Sequence, residues 1–93
     1  MLIYKQIEPR LKELMLKTCN KYQYAYWIDH DAEFIDYLLG GTDDLEMYDI
    51  GRRTGILMIY DKYRRCVEQI RKELNLSQSD MREIIASGSD TFH

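Results

Sequence analysis

From Ile56 to Leu74 the apolar positions Ile56, Tyr60, Tyr63, Val67, Ile70 and Leu74 recur at alternating steps of four and three. That period brings them to one face of an α-helix and fits no β-strand, whose faces alternate every second residue. It is a seam of about three heptads, so this stretch must pack its apolar edge against other helices. Upstream, Thr42 is a good cap, and Asp43, Asp44 and Glu46 would complement the positive end of a helix dipole. The spacing therefore predicts one long central helix over about 43–75, stopped at Asn75 and weakened or kinked where Gly51 and Gly55 lie inside it.

The remaining chain repeats the helical signal. Pro9 suits a first helical turn. Behind it Leu11, Leu14, Thr18, Tyr22 and Ala25 step by three and four, predicting a helix that runs to about Trp27. Asp29 or Asp31 is a suitable cap for a shorter helix carrying Phe34, Ile35, Leu38 and Leu39, which Gly40-Gly41 would end. Ser77-Gln78-Ser79-Asp80 matches a capping box, with Leu76 and Met81 placed as its hydrophobic staple. The helix it opens carries Met81, Ile84 and Ile85 and would end at Gly88. The segment 1–7 reads either as an arm or as a lead-in. The expected fold is all-α, a small three- to four-helix bundle with sequential helices packed antiparallel, in one domain over 1–88 with a flexible tail at 89–93. Ninety-three residues fit a single core.

Ile56-Leu57-Met58-Ile59-Tyr60 is apolar on every side of its helix. Such a segment needs cover all round, which a second chain would supply, so the sequence predicts homo-oligomerisation through these five residues, with a homodimer the simplest form. No apolar run approaches the roughly 20 residues of a membrane span. Two cysteines, Cys19 and Cys66, are too few for a disulfide scaffold. The expectation is a soluble, cytoplasmic protein whose thiols are buried and reduced.

Charge is strongly segregated beneath a net −3. Residues 1–21 carry +3 and residues 52–76 carry +4, whereas residues 22–51 carry eight acids and none of the chain's thirteen Lys and Arg. The acidic block also holds seven of the eleven aromatic residues. Tyrosine and tryptophan give large contact area at low entropic cost, and complementary charge sets register and on-rate. Acid and aromatic area together predict a partner-binding surface made of Tyr24, Trp27, Asp29, Asp31, Glu33, Asp36, Tyr37, Asp43, Asp44 and Glu46. Its partner would be a protein with a basic surface, so the chain would serve as an inhibitor or adaptor, in the manner of a nucleic-acid mimic. The competing reading pairs this block with the basic helix of the same molecule or dimer.

An alternative function uses the opposite charge. Arg53, Arg64 and Arg71 fall in one sector of the long helix with Tyr60 beside them, a pattern suited to binding phosphate or carboxylate. It would make the chain a small nucleic-acid-binding regulator. Against it, the candidate recognition helix carries Asp80 and Glu83 for one Arg82, where phosphate contact demands clustered positive charge.

No catalytic constellation stands out, and the chain is read as non-enzymatic. Asp29-His30-Asp31 with Glu33 is the one carboxylate–imidazole cluster in the sequence. Beside a helix start it reads as a cap with solvated charge, and as a calcium loop it fails, with Phe34 where glycine and Gly40 where glutamate are required. Neither a metal nor a cofactor is expected.

Overall fold

The chain breaks its own first helix in two, and that break orients the acidic, aromatic residues beyond it. In the computed structural model of the chain, residues 2–40 and 55–89 are described, and all their regular structure is helical. The first helix, α1, spans Tyr4–Thr18. Cys19 and Asn20 are extended, and α2 then spans Lys21–Asp29. The cause is a reciprocal capping box: Asn20 Oδ1 accepts the Gln23 N–H at 2.8 Å, and Gln23 Oε1 accepts the Asn20 N–H at 3.0 Å. The predicted continuous helix to Trp27 is thereby corrected. Leu11, Leu14 and Met15 are buried as the spacing implies, but Thr18, at the end of α1, is exposed, and beyond the break the face rotates, so Tyr22 and Ala25 are exposed and Trp27 is buried.

The start of α1 also lies earlier than Pro9 suggests. Ile3 has no side chain that caps, yet Gln6 Oε1 accepts its N–H at 2.8 Å, and Ser87 Oγ of the last helix accepts the Tyr4 N–H at 3.0 Å. A tertiary contact thus satisfies an end that local sequence leaves open. Pro9 sits in the second turn, and its ring lies on the exposed side.

His30 closes α2 and opens α3, Asp31–Leu38. It occupies the cap position that Asp29 or Asp31 was expected to take, and Asp31 becomes the first helical residue. Gly40 ends the element with φ 82°, a left-handed conformation suited to glycine. The fourth helix, α4, spans Ile56–Glu73, behind Gly55 at φ 78°. A left-handed Gly55 interrupts the helix predicted over 43–75; the part from Thr42 to Thr54 lies outside the described residues. Asn75 stops α4 as expected: at φ 54° it forms a Schellman turn, with Leu76 N–H to Arg71 O at 3.0 Å and Asn75 N–H to Lys72 O at 3.2 Å. Ser77 Oγ then accepts the Asp80 N–H at 3.0 Å and opens α5, Gln78–Ser89. Gly88 does not end α5. It lies inside the helix, buried under the Tyr4 ring. Ser89, expected in a tail, is its last residue, and 90–93 lie outside the described residues.

Packing reaches beyond consecutive helices. α1 and α3 each pack against both α4 and α5, and these four contacts form the main body of the molecule. The core gathers Ile7, Leu11 and Met15 of α1, Trp27 of α2, Phe34 and Ile35 of α3, Ile59, Tyr63 and Ile70 of α4, and Ile84 and Ile85 of α5. At its centre Phe34 meets Tyr60 edge-on, with ring centroids 4.4 Å apart, and Tyr63 at 5.5 Å. The apolar segment 56–60 is covered by this core: Ile59 and Tyr60 are 2% exposed, and Ile56 and Leu57 pack against it. Met58 alone of the five points outward, at 59% exposure. A second chain is therefore not needed to cover this segment. Among the described residues no helix is long and apolar enough to cross a membrane.

Candidate interaction surface

The corner between α2 and α3 is fixed by one histidine. His30 Nδ1 lies 2.9 Å from Tyr26 O, and because a carbonyl only accepts, this nitrogen carries the proton. The imidazole also stacks on the Tyr26 ring, at 4.0 Å and 15°. With the corner held, the two short helices present Asp29, Glu33 and Asp36 to solvent. Tyr24 is half-buried and edge-on to Trp27, with ring centroids 5.7 Å apart. Tyr37 is half-buried and stacked on Tyr60 at 4.5 Å and 14°.

Two of the expected contact residues point inward instead. Trp27 is 1% exposed and packs toward Tyr63, with centroids 6.0 Å apart, so it offers no area to a partner. Asp31 is held by the first helix: Tyr4 Oη donates to its carboxylate, at 3.1 Å from Oδ1 and 3.2 Å from Oδ2. Burial pushes the Asp31 carboxyl above the ordinary carboxylate range, and the Tyr4 hydroxyl and the Trp27 indole N–H pull it part of the way back. Neither Trp27 Nε1 nor Tyr63 Oη reaches a partner at full hydrogen-bonding geometry. Burial also pushes the Tyr4 and Tyr63 phenols far up, which keeps both hydroxyls protonated beside the carboxylate.

Tyr22 and Ile28 take the places that Trp27 and Asp31 vacate. They are 71% and 42% exposed on α2, and Ile28 lines a shallow depression together with Asp29 and Glu33. Reading Asn20-x-x-Gln23 as a capping box would have placed Tyr22 outside the seam. Asp43, Asp44 and Glu46 lie outside the described residues.

The charge of this face is not balanced within the described part of the molecule. Arg10 pairs with Glu73 at 2.7 Å and with Glu13, and Lys12 with Glu8 at 3.4 Å. Arg64 and Arg65 share Asp61 at 3.2 and 2.6 Å, and Arg71 holds Glu68 at 2.6 Å. Every one of these pairs lies within or between α1 and α4. Among the described residues no ion pair reaches Asp29, Glu33 or Asp36, so within the described part of one chain these three carboxylates do not neutralise the basic helix.

The arginine edge is kept only in part: Arg64 and Arg71 line the same side of α4. Arg53 lies outside the described residues. Tyr60 is buried in the core with its ring on Tyr37, so it does not stand beside the arginines as the helical sector implied. Arg71 is committed to structure: beyond Glu68, its Nη1 donates to Leu76 O at 2.8 Å and braces the turn after α4. Arg64 remains exposed.

Burial pushes the Cys19 and Cys66 thiols above their ordinary values, and Cys66 Sγ lies 3.7 Å from Thr18 Oγ1. Among the described residues no three His, Cys, Asp or Glu side chains are placed to hold a metal ion. No protein family matches the chain, and neither a curated protein nor a solved structure resembles it beyond chance.

Proposed function

We propose that this chain is a non-catalytic interaction module, an inhibitor or adaptor that occupies a basic site of a partner protein through the α2–α3 face. The observation that carries the reading is the set of exposed carboxylates, Asp29, Glu33 and Asp36, none ion-paired among the described residues. Charges left without an internal partner keep their full attraction for an external one, and they steer encounter over about a Debye length, ~10 Å in 0.1 M salt. Tyr22 and Ile28 supply apolar area beside them, with the Tyr37 edge, while Trp27 and Asp31 brace the face from within. A partner's groove lined by Lys and Arg, of the kind that holds a nucleic-acid backbone, is the complementary surface.

The test compares the wild-type chain with a variant carrying Asp29→Asn, Glu33→Gln and Asp36→Asn as baits in nuclease-treated lysate. A protein retained by wild type, lost with the variant, released by rising salt and displaced by added duplex DNA or RNA supports the reading. Retention that the three substitutions and salt leave unchanged overturns it.

A further inference from the structure

The turn at Asn75 joins α4 to α5, yet both helices bury their main contacts against α1 and α3 and leave a groove between themselves. The groove measures about 200 Å³, with Val67, Met81 and Ile85 on its floor. Arg64 and Arg71 line it from α4 and Arg82 from α5. Glu68 is the one carboxylate among its described lining residues, and Arg71 already grips it through Nε, at 3.1 and 3.0 Å, and Nη2, at 2.6 Å. The charge left over belongs to Arg64 and Arg82. Both are exposed, Arg64 shares Asp61 with Arg65, and Arg82 donates to the Leu39 carbonyl at 3.2 Å.

We propose that this groove docks a short acidic segment of a partner protein, one large apolar side chain on the floor and a carboxylate on each side reaching Arg64 and Arg82. The volume suits a single side chain and falls below the 300–1,000 Å³ typical of a drug-sized or cofactor site. Guanidinium groups on both helices match flanking carboxylates bidentately. The positive end of α5 opens at Gln78, which also lines the groove, and favours the same sign of ligand charge. Nucleic acid fits less well. Among the described lining residues there is no aromatic ring on which a base could stack, and an apolar floor gives a phosphodiester backbone nothing to bind. Leu38 at the end of α3 borders this docking site, but Asp29, Glu33 and Asp36 are not among its lining residues, and its charge is opposite to theirs.

The probe is a panel of fluorescein-labelled peptides of sequence Asp-Glu-Glu-X-Glu-Asp-Asp, with X as Leu, Phe, Trp or Ser, run beside a single-stranded oligouridylate. The expected result is binding by the three apolar peptides, about tenfold weaker for Ser, since an anchor of this kind is worth about a factor of ten. Binding should also weaken about tenfold or more in Arg64→Glu/Arg82→Glu and in the milder Arg64→Gln/Arg82→Gln, with unfolding midpoints measured alongside because Arg64 bonds Asp61 and Arg82 bonds the Leu39 carbonyl. The Asp29→Asn/Glu33→Gln/Asp36→Asn variant should bind the peptides as well as wild type does, which separates this site from the acidic face. The proposal is overturned if no panel peptide binds, if the Ser peptide or the oligouridylate binds as tightly as the apolar peptides, or if the double charge reversal changes nothing.

Discussion

At Gly88 a single hydrogen in place of a methyl group decides how the two ends of the described chain meet. A Cβ built there would lie 2.6 Å from Tyr4 Cγ and 2.9 Å from both Cδ atoms, inside any real contact distance. The Tyr4 ring cannot swing away, because its hydroxyl is bound to Asp31 and the backbone N–H of the same residue to Ser87. Gly88→Ala should therefore destabilise the fold by about 1–3 kcal/mol despite the better helix propensity of alanine, as read by thermal or urea unfolding. A stabilised variant would show that Tyr4 does not pack there. Asp31 gives a second residue-level test. Its carboxyl is raised by burial, so the native state resists ionising it. Stability from this group is full at pH values below the ordinary carboxylate range and is lost as pH rises through the folded value. Asp31→Asn cannot ionise, yet its Oδ1 still accepts the Tyr4 hydroxyl. The variant should gain on wild type as pH climbs through and above the ordinary carboxylate range, measured as the difference in urea midpoint. A difference independent of pH would refute the burial argument.

Elements in this protein are bounded by caps more than by propensity. The stretch from Tyr4 to Asp29 has helical spacing throughout, and the Asn20–Gln23 box divides it. Asn20→Ala should lower stability by about 1 kcal/mol, as loss of an N-cap does elsewhere. It should also let α1 and α2 merge, which would carry Trp27 off its burial face. A rise in tryptophan accessibility to quencher checks this, and unchanged quenching would mean that packing alone holds the break. Some boundaries are legible in the sequence because their chemistry is local: Gly40, the Asn75 turn and the Ser77 cap all lie where the residue types put them. The start of α1 is not, because its acceptor for the Tyr4 N–H is Ser87, 83 residues away. The same holds for Gly88, which reads as a helix stop until the ring above it is known.

Across the molecule, the charge map and the ion-pair map describe two different halves. Among the described residues the ion pairs join Arg10, Lys12, Arg64, Arg65 and Arg71 to acids of α1 and α4 alone. Arg10 draws the Glu73 carboxyl down to about 2, and Glu68 is lowered by Arg71. The acids of α2 and α3 have neighbouring acids and, among the described residues, no base in an ion pair with Asp29, Glu33 or Asp36. Like charges without an ion pair of their own repel weakly through solvent and give the fold no attraction to lose. The Asp29→Asn/Glu33→Gln/Asp36→Asn variant should thus be at least as stable as wild type in low salt, and the difference should shrink as salt screens the repulsion. Marked destabilisation that salt does not alter would mean that these carboxylates hold the fold together.

Helical class, the seam Tyr60–Tyr63–Val67–Ile70 and the concentration of acid in residues 22–51 without a single Lys or Arg are all written in the amino-acid order. Periodicity, capping chemistry and net charge are properties of neighbours along the chain, so they can be read there. Other features come from how the helices pack. Trp27 and Asp31 turn inward while Tyr22 and Ile28 turn out, Tyr60 leaves the arginine edge for the core, and α4 and α5 part to open a groove. Each of these depends on which helices share a core. Here α1 and α3 each claim both α4 and α5, an arrangement set by burial across long sequence separations and by no local signal.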